Sequence, residues 1–280
     1  MLKPLLAIAL AVAWTATAQA GVLERVRDSG TFNIGFREDA QPFAFKNDIG
    51  EPAGYSVELC RAVATQVKKV TGVETLNVNY VPVTADNRFD MLSSGKIDIL
   101  CGATSQTLSR RETMDFSIPT FIDGASVMFR KDGPQSFQEL AGMKVGVRSG
   151  TTTQESLSGA LAAANIEADV VPVASHQDGL AGLQDGSLDA YFADRAILVF
   201  LLLDHGTGTD MMLSERHFTY EPYGLAMQRG ESDFRLLVDA TLSSIYRSGA
   251  VTQLFQASFG AKAQPSEILK AMYVISALPN

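Results

Sequence analysis

The sequence predicts an α/β protein of two lobes, each a largely parallel sheet flanked by helices, joined by two crossing strands. Three observations predict it. Strand-like and helix-like segments alternate along the chain. Two short patterns recur in the same order: Ile34-Gly35-Phe36-Arg37 is echoed by Val145-Gly146-Val147-Arg148, and Leu92-x-x-Gly95-x-x-Asp98 by Leu183-x-x-Gly186-x-x-Asp189. The C-terminal part does not repeat this grammar a third time, so it is expected to return to the first lobe and cover it.

The elements follow in order. Lys3, the apolar run Leu5 to Ala13 and the small-x-small triplet Ala18-Gln19-Ala20 form a secretory signal peptide cut after Ala20. Its apolar run is too short to span a bilayer, which takes about 20 residues. The mature chain is therefore expected to be soluble and exported. Thr31 to Phe36 is a buried strand. Gly54 to Val70 places Val57, Cys60, Val63, Val67 and Val70 at helical spacing. Leu76, Val78 and Tyr80 alternate as a strand, Asn87 to Ser94 is a short helix stopped by Gly95, and Ile97 to Leu100 is a strand. The second lobe repeats this order. Near the C-terminus, Tyr223 to Met227 reads as one strand, Ser232 to Ser248 as a long amphipathic helix and Val251 to Phe259 as a further helix. Crossings are expected near Ile122 to Phe129 and near Glu221 to Met227. The expected division is a signal peptide at 1–20, a discontinuous first lobe of 21–124 with 221–280, and a second lobe of 125–220.

Composition excludes several functions. The chain has 280 residues, 46% hydrophobic and 19% charged, which is too apolar for a disordered protein. Lys and Arg number 23 against 31 Asp and Glu, a net charge of -8. That disfavours binding to nucleic acid or to anionic lipid, which need a basic face. Cys60 and Cys101 are compatible with a disulfide in an exported chain or with two buried thiols. The three His, at 176, 205 and 217, lack paired metal-ligand spacing, and no C-x-x-C occurs. No metal and no cofactor are expected.

In open α/β sheets a ligand sits at the carboxyl ends of the strands. Those ends carry Arg37, the run Cys101-Gly102-Ala103-Thr104-Ser105, the run Ser149-Gly150-Thr151-Thr152-Thr153, and Asp194. Each has a ligand-binding and a plain structural explanation. The Ser149 to Thr152 turn is an anion cradle or an ordinary helix N-cap. Asp194 takes an ammonium group or caps the helix starting near Arg195. Arg37 and Arg88 face a ligand, or pair with Glu38 and Asp86 on the surface. Arg110 offers a planar fork suited to a carboxylate, whereas Arg111 is solvated. His176 is a donor to a second carboxylate or a loop residue.

These residues carry a resemblance. Gly35-Phe36-Arg37-Glu38 with Pro42-Phe43, Gly54-Tyr55-Ser56, Asn87-Arg88, Cys101 to Ser105, Arg110 with Asp115-Phe116-Ser117, Ser149 to Thr152, His176, Asp194 and Tyr223-Gly224 resemble the amino-acid-binding proteins of bacterial ABC importers. Their fold is the type II periplasmic binding fold, two Rossmann-like lobes joined by two hinge strands. The glutamate/aspartate-binding branch is the most similar. The resemblance implies that Arg110 clamps an α-carboxylate, with Thr104, Ser105, Thr151 and Thr152 beside it. Asp194 then takes the α-ammonium, and Arg37, Arg88 and His176 surround a side-chain carboxylate with no counter-acid assigned beside them. It also implies a periplasmic monomer that delivers glutamate or aspartate to an inner-membrane ABC permease. This chain has Ala85 and Ala103 where the acidic branch often has Ser. Its usual second Cys, near Leu225, is absent, so any bridge here uses Cys60. An enzyme on the same fold, such as a dehydratase acting on a carboxylated ring, is the competing class, but no G-x-S-x-G, P-loop or metal motif supports catalysis.

Overall fold

The computed structural model describes residues 21–205 and 210–279; the expected signal peptide lies outside them. The chain opens with helix α1 (Val22–Ser29) and strand β1 (Thr31–Arg37). A small sheet of β2 (Asp39–Ala40), β3 (Ala44–Lys46) and β4 (Pro52–Ala53) follows, then α2 (Tyr55–Thr71), β5 (Asn77–Val83), α3 (Arg88–Ser93), β6 (Ile99–Cys101), α4 (Leu108–Arg111) and β7 (Met114–Phe116). Strand β8 (Phe121–Asp123) leads into β9 (Ala125–Arg130), β10 (Lys144–Arg148), α5 (Thr152–Ala164), β11 (Asp169–Val173), α6 (His176–Asp185), β12 (Ala190–Asp194), α7 (Arg195–His205) and β13 (Met211–Leu213). The chain then runs back through β14 (Glu221–Tyr223), β15 (Ala226–Gln228), α8 (Ser232–Ser248), α9 (Ala250–Phe259) and α10 (Glu267–Ser276).

Two five-stranded sheets result, ordered β5-β1-β6-β15-β7 and β11-β10-β12-β9-β13. In each, a first strand lies between two parallel partners: β1 between β5 and β6, and β10 between β11 and β12. The two sequence echoes have a common physical cause. A Cβ at Gly35 would lie 2.3 Å from Ile97 Cδ1, and one at Gly146 would lie 2.5 Å from Leu188 Cδ1. Each glycine lets the residue entering the next parallel strand pack directly on the sheet. The aspartates tie the same two strands: Asp98 accepts the Asn33 amide at 2.7 Å and Asp189 accepts the Lys144 amide at 2.8 Å. Gly95 and Gly186, at φ 71° and 78°, supply the left-handed turn between helix and aspartate.

The C-terminal part returns to the first sheet as expected. Strand β15 inserts antiparallel between β6 and β7, and α8 and α9 pack on α2. Phe234, Val238 and Leu242 form the buried stripe of α8. One expectation is corrected. Tyr223 to Met227 is not a single strand but two, parted at Gly224-Leu225. Before the break, β14 pairs antiparallel with β8 to form the two-stranded hinge between the sheets. After it, β15 belongs to the first sheet. Gly224 permits the switch, since a Cβ there would lie 2.5 Å from Gln106 Nε2. The freed amides find other partners, Gly224 on the Thr104 carbonyl and Leu225 on the Ser117 hydroxyl.

An aromatic cluster anchors the hinge. Phe121 of β8 stacks on Phe259 at 5.3 Å, and Phe43 meets Tyr223 of β14 edge-on at 5.1 Å. Cys60 and Cys101 form a disulfide, which the sequence left open, across 41 residues. It ties α2 to the strand that feeds the Gly102 to Ser105 loop.

Candidate functional site

The carboxyl ends of the parallel strands from both sheets face one another. They enclose a narrow cleft lined by Arg37, Arg88, Ala103, Ser105, Arg110, Arg148, Thr151, Thr152, Thr153, His176, Ala193 and Asp194. A larger, open groove lies between α1, α2 and α8. Its lining is mostly aliphatic and small polar residues with Arg27, Lys69 and Asp233, whereas the smaller cleft gathers four Arg, His176 and Asp194, so the chemistry points to the smaller cleft.

Arg110 stands on the short helix α4, which Thr107 caps by accepting the Arg110 amide at 3.2 Å. Its Nη1 donates to the Ser105 carbonyl at 2.8 Å, and its guanidinium lies 5.0 Å from the Phe89 ring centre. Arg88 sits 4.5 Å from the centre of the same ring. Across the cleft, the Ser105 and Thr152 hydroxyls are 3.1 Å apart, and Thr152 donates to Glu221 Oε2 at 2.8 Å. Thr151 lines the cleft but is engaged as the N-cap of α5. It accepts the Gln154 amide at 3.2 Å and donates to the Arg148 carbonyl at 2.7 Å. Thr104 is buried and does not line the cleft; its hydroxyl lacks a partner.

The other end corrects one expectation: Arg37 does have a counter-acid. Its Nε donates to Asp39 Oδ1 at 3.0 Å and its Nη2 lies 2.8 Å from the same oxygen. Asp39 Oδ2 faces Arg148 Nε at 3.4 Å, and Arg148 Nη1 faces Asp86 Oδ2 at 3.4 Å. Neither alternative surface pair forms, because Glu38 bonds Lys46 and Asp86 bonds Arg148. Burial alone would raise the Asp39 carboxyl, but the charges of Arg37, of His176 once protonated, and of Arg148 outweigh it and hold it at about 2. Arg88 is 1% exposed and bonds only carbonyls, those of Ala85 at 2.6 Å and Gly150 at 3.1 Å. Burial, then the charges of Arg37, Arg110 and Arg148, press its pKa well below the usual arginine value.

His176 opens α6 and is buried. Its Nδ1 lies 2.7 Å from the Tyr191 hydroxyl, while Nε2 has no partner. A Cβ at Gly179 would lie 2.2 Å from the Tyr191 ring, so the bare helix turn is what admits Tyr191 beneath the imidazole. Burial, then the Arg37 and Arg148 charges, hold the His176 pKa down to about 3. Burial also raises the Tyr191 hydroxyl pKa, so it keeps its proton. The ring is therefore neutral; in the tautomer in which Tyr191 donates to Nδ1, its proton sits on Nε2 as a donor. Unfolding returns the ring to its ordinary 6.5. Between the two values the unfolded chain binds one more proton, so stability falls as pH drops through that window. At pH 5 the loss from this group is about 2 kcal/mol. Asp39 adds its own loss only as pH falls from 3.8 towards 2. In urea titrations, His176→Asn should flatten the decline between about pH 7 and pH 5; an unchanged decline would mean the ring is charged in the fold.

Asp194 is not the helix cap. Asp123 holds that place, accepting the Gly124 amide at 2.9 Å and the Ala196 amide at 3.2 Å. Asp194 instead accepts the Thr153 hydroxyl at 3.0 Å. Burial and then the Glu221 charge raise its pKa. Burial and then the Asp194 charge raise that of Asp123 well above the carboxylate range.

Arg148 and Asp39 are residues of this cleft end that sequence reasoning did not single out. The signal for Arg148 was present, since it occupies the place of Arg37 in the first echo.

Two hinged sheets whose charged strand ends meet across a cleft define a bilobal clamp for a small polar solute. The chain belongs to the bacterial extracellular solute-binding proteins, family 3, whose model matches residues 32–261. It is 27% identical over 241 residues to the L-glutamate/L-aspartate-binding protein of Pseudomonas aeruginosa, covering 85% of this chain and 80% of that one. It is 28% identical over 250 residues to the L-cystine-binding protein TcyJ of Escherichia coli, covering 87% and 88%. It is also similar to the solved structure of an ABC transporter periplasmic binding protein from Brucella ovis with glutathione bound. There the TM-score is 0.74 at 27% identity, covering 92% of this chain and 87% of that one.

Proposed function

We propose that this protein captures an acidic amino acid, glutamate or aspartate, between its lobes in the periplasm and delivers it to an inner-membrane ABC permease. The lobes are residues 21–124 with 221–280, and residues 125–220. The charge balance of the cleft supports the reading most. Arg37 and Arg148 are matched by Asp39 and Asp86. Arg88 and Arg110 bond only carbonyls, and among the described residues neither has a carboxylate within ion-pair distance. Asp194 is the one carboxylate lining the cleft among the described residues. Two unmatched guanidiniums and one carboxylate complement a ligand with two carboxylates and one ammonium. Arg110, with Ser105 and Thr152, holds the α-carboxylate; Asp194 holds the ammonium; Arg88, Arg37 and the Nε2–H of His176 receive the side-chain carboxylate. Buried polar atoms are normally paired, and those left open at Arg88 Nε and His176 Nε2 fit a ligand acceptor. The role is binding rather than turnover, a reading supported by the similarity to glutamate/aspartate-binding and cystine-binding proteins.

Competition calorimetry with glutamate, aspartate, glutamine and asparagine tests the acidic preference. An amide leaves one guanidinium charge uncompensated in a closed cleft. The acids should bind at least about tenfold more tightly, equivalent to roughly 1.4 kcal/mol. Equal affinity for acid and amide, or tighter binding of lysine or arginine, would reject the acidic ligand. Conversion of a carboxylated ring substrate would reject the non-enzymatic role.

A further inference from the structure

We infer that Arg148 is a latch between the lobes, a positioning residue that favours the closed cleft by bonding Asp39 and Asp86 across it. The inference rests on the proposed division into two lobes that close on a solute, and it is independent of which solute that is. Arg148 ends β10 in the second sheet, and its side chain is 4% exposed. Two contacts hold its Nη1 on its own side, the Ser149 hydroxyl at 3.3 Å and the Val173 carbonyl at 3.4 Å. Its Nε and Nη1 then meet carboxylates carried by segments of the first lobe, Asp39 and Asp86, both at 3.4 Å.

The first carboxylate is itself held in place, because Arg37 grips its other oxygen. Asp39 thus lies between two guanidiniums, one from each lobe. The remaining charged neighbour on the first lobe is Arg88, which repels Arg148. Asp39 offsets that repulsion only when the lobes are together. His176, neutral, adds no charge. The second carboxylate is 58% exposed, so its pair with Arg148 is the weaker and more easily screened of the two.

A separate observation places the seam at the same spot. Gly150, two residues after Arg148, has φ 69°, and a Cβ there would lie 2.5 Å from Asp86 Oδ1 and 3.3 Å from the Ala85 carbonyl. Its own carbonyl accepts from Arg88 Nη2 at 3.1 Å. Asp39, Asp86 and Arg88 thus face Arg148 and Gly150 along one seam between the lobes, in direct protein contact and separate from the Ser105–Thr152 contact. A contact made in the closed arrangement and lost in the open one shifts the population towards closure by its differential energy. It should act on every ligand alike, chiefly through dissociation.

The test compares Arg148→Met and Arg148→Lys with the wild-type chain, spin-labelled at Lys68→Cys of α2 and Ala163→Cys of α5, both exposed. Double electron–electron resonance is recorded without amino acid and with saturating L-glutamate. Arg148→Met should shift the ligand-free distances towards the open arrangement, and Arg148→Lys should restore part of the closed population. Dissociation constants for L-glutamate and L-aspartate should rise by the same factor, about fivefold or more, and the difference should shrink between about 0.05 and about 0.5 M salt. Melting curves confirm that each variant is folded. Identical ligand-free distance distributions for wild type and Arg148→Met would overturn the latch. A loss confined to one of the two acids would also overturn it, by making Arg148 a contact to the ligand side chain. If wild type bound no L-glutamate, the acidic reading would fall, and the ligand-free distances would still decide the latch.

Discussion

Arg110→Ala should abolish capture of every amino acid, acidic or neutral, because the α-carboxylate is the one group all of them share. Arg110 points its fork into the cleft from a helix that Thr107 caps, with one nitrogen fixed on the Ser105 carbonyl. Phe89 lies against its face. The guanidinium is thus held in one orientation before the ligand arrives, and little side-chain entropy is lost on binding. Burial lowers its pKa, opposed by the charges of Glu221, Glu155 and Asp194; it remains a cation at any physiological pH. Removing one partner of such a desolvated charge pair costs about 2–5 kcal/mol. That corresponds to a loss of roughly thirtyfold to several-thousandfold in affinity. Arg110→Lys should fail nearly as badly, since a point charge cannot reproduce two parallel hydrogen bonds. Isothermal calorimetry on both variants checks this. Near-wild-type affinity in Arg110→Ala would remove Arg110 from the clamp.

The fold was largely legible because its signals are local. Gly35 and Gly146 recur because a side chain would collide with the next strand, and Asp98 and Asp189 recur because each ties the amide of a first strand. Such constraints act over a few residues and leave a visible pattern. The break at Gly224 was not legible, because its cause, the close approach of Gln106, lies far away in sequence. The same distinction applies to the site. Strand-end residues such as Arg37, Ser105, Thr152 and Asp194, singled out from position alone, do line the cleft. Which side chains were already engaged depended on three-dimensional partners, some distant in sequence and some near. Asp194 is released from capping α7 because Asp123, 71 positions earlier in the numbering, takes that place, and it bonds Thr153 instead. Thr151 is engaged because its hydroxyl caps its own helix. Arg37 looked unmatched because Asp39, two residues on, sits across a turn that sequence does not resolve.

Arg88→Met should remove most of the preference for an acid over its amide. Arg88 is the most buried of the cleft arginines, and three like charges surround it. Its hydrogen bonds to the Ala85 and Gly150 carbonyls orient it without neutralising it, and its Nε has no partner. A buried cation so placed is stabilised most by a ligand carboxylate, and an amide oxygen returns only a fraction of that energy. Truncation should therefore weaken glutamate binding by about a hundredfold, within the 2–5 kcal/mol expected for breaking such a pair. Glutamine binding should weaken far less. Some loss is common to both ligands, because the Gly150 carbonyl also loses its donor. The discriminating quantity is thus the ratio of the two dissociation constants, not either one alone. Methionine keeps the aliphatic bulk against Phe89, which limits collapse of the pocket. Calorimetry with glutamate and glutamine on wild type and Arg88→Met gives the ratio directly. If glutamate and glutamine weaken by the same factor, Arg88 serves the lobe seam rather than the ligand, and the side-chain carboxylate must be held by Arg37 and His176.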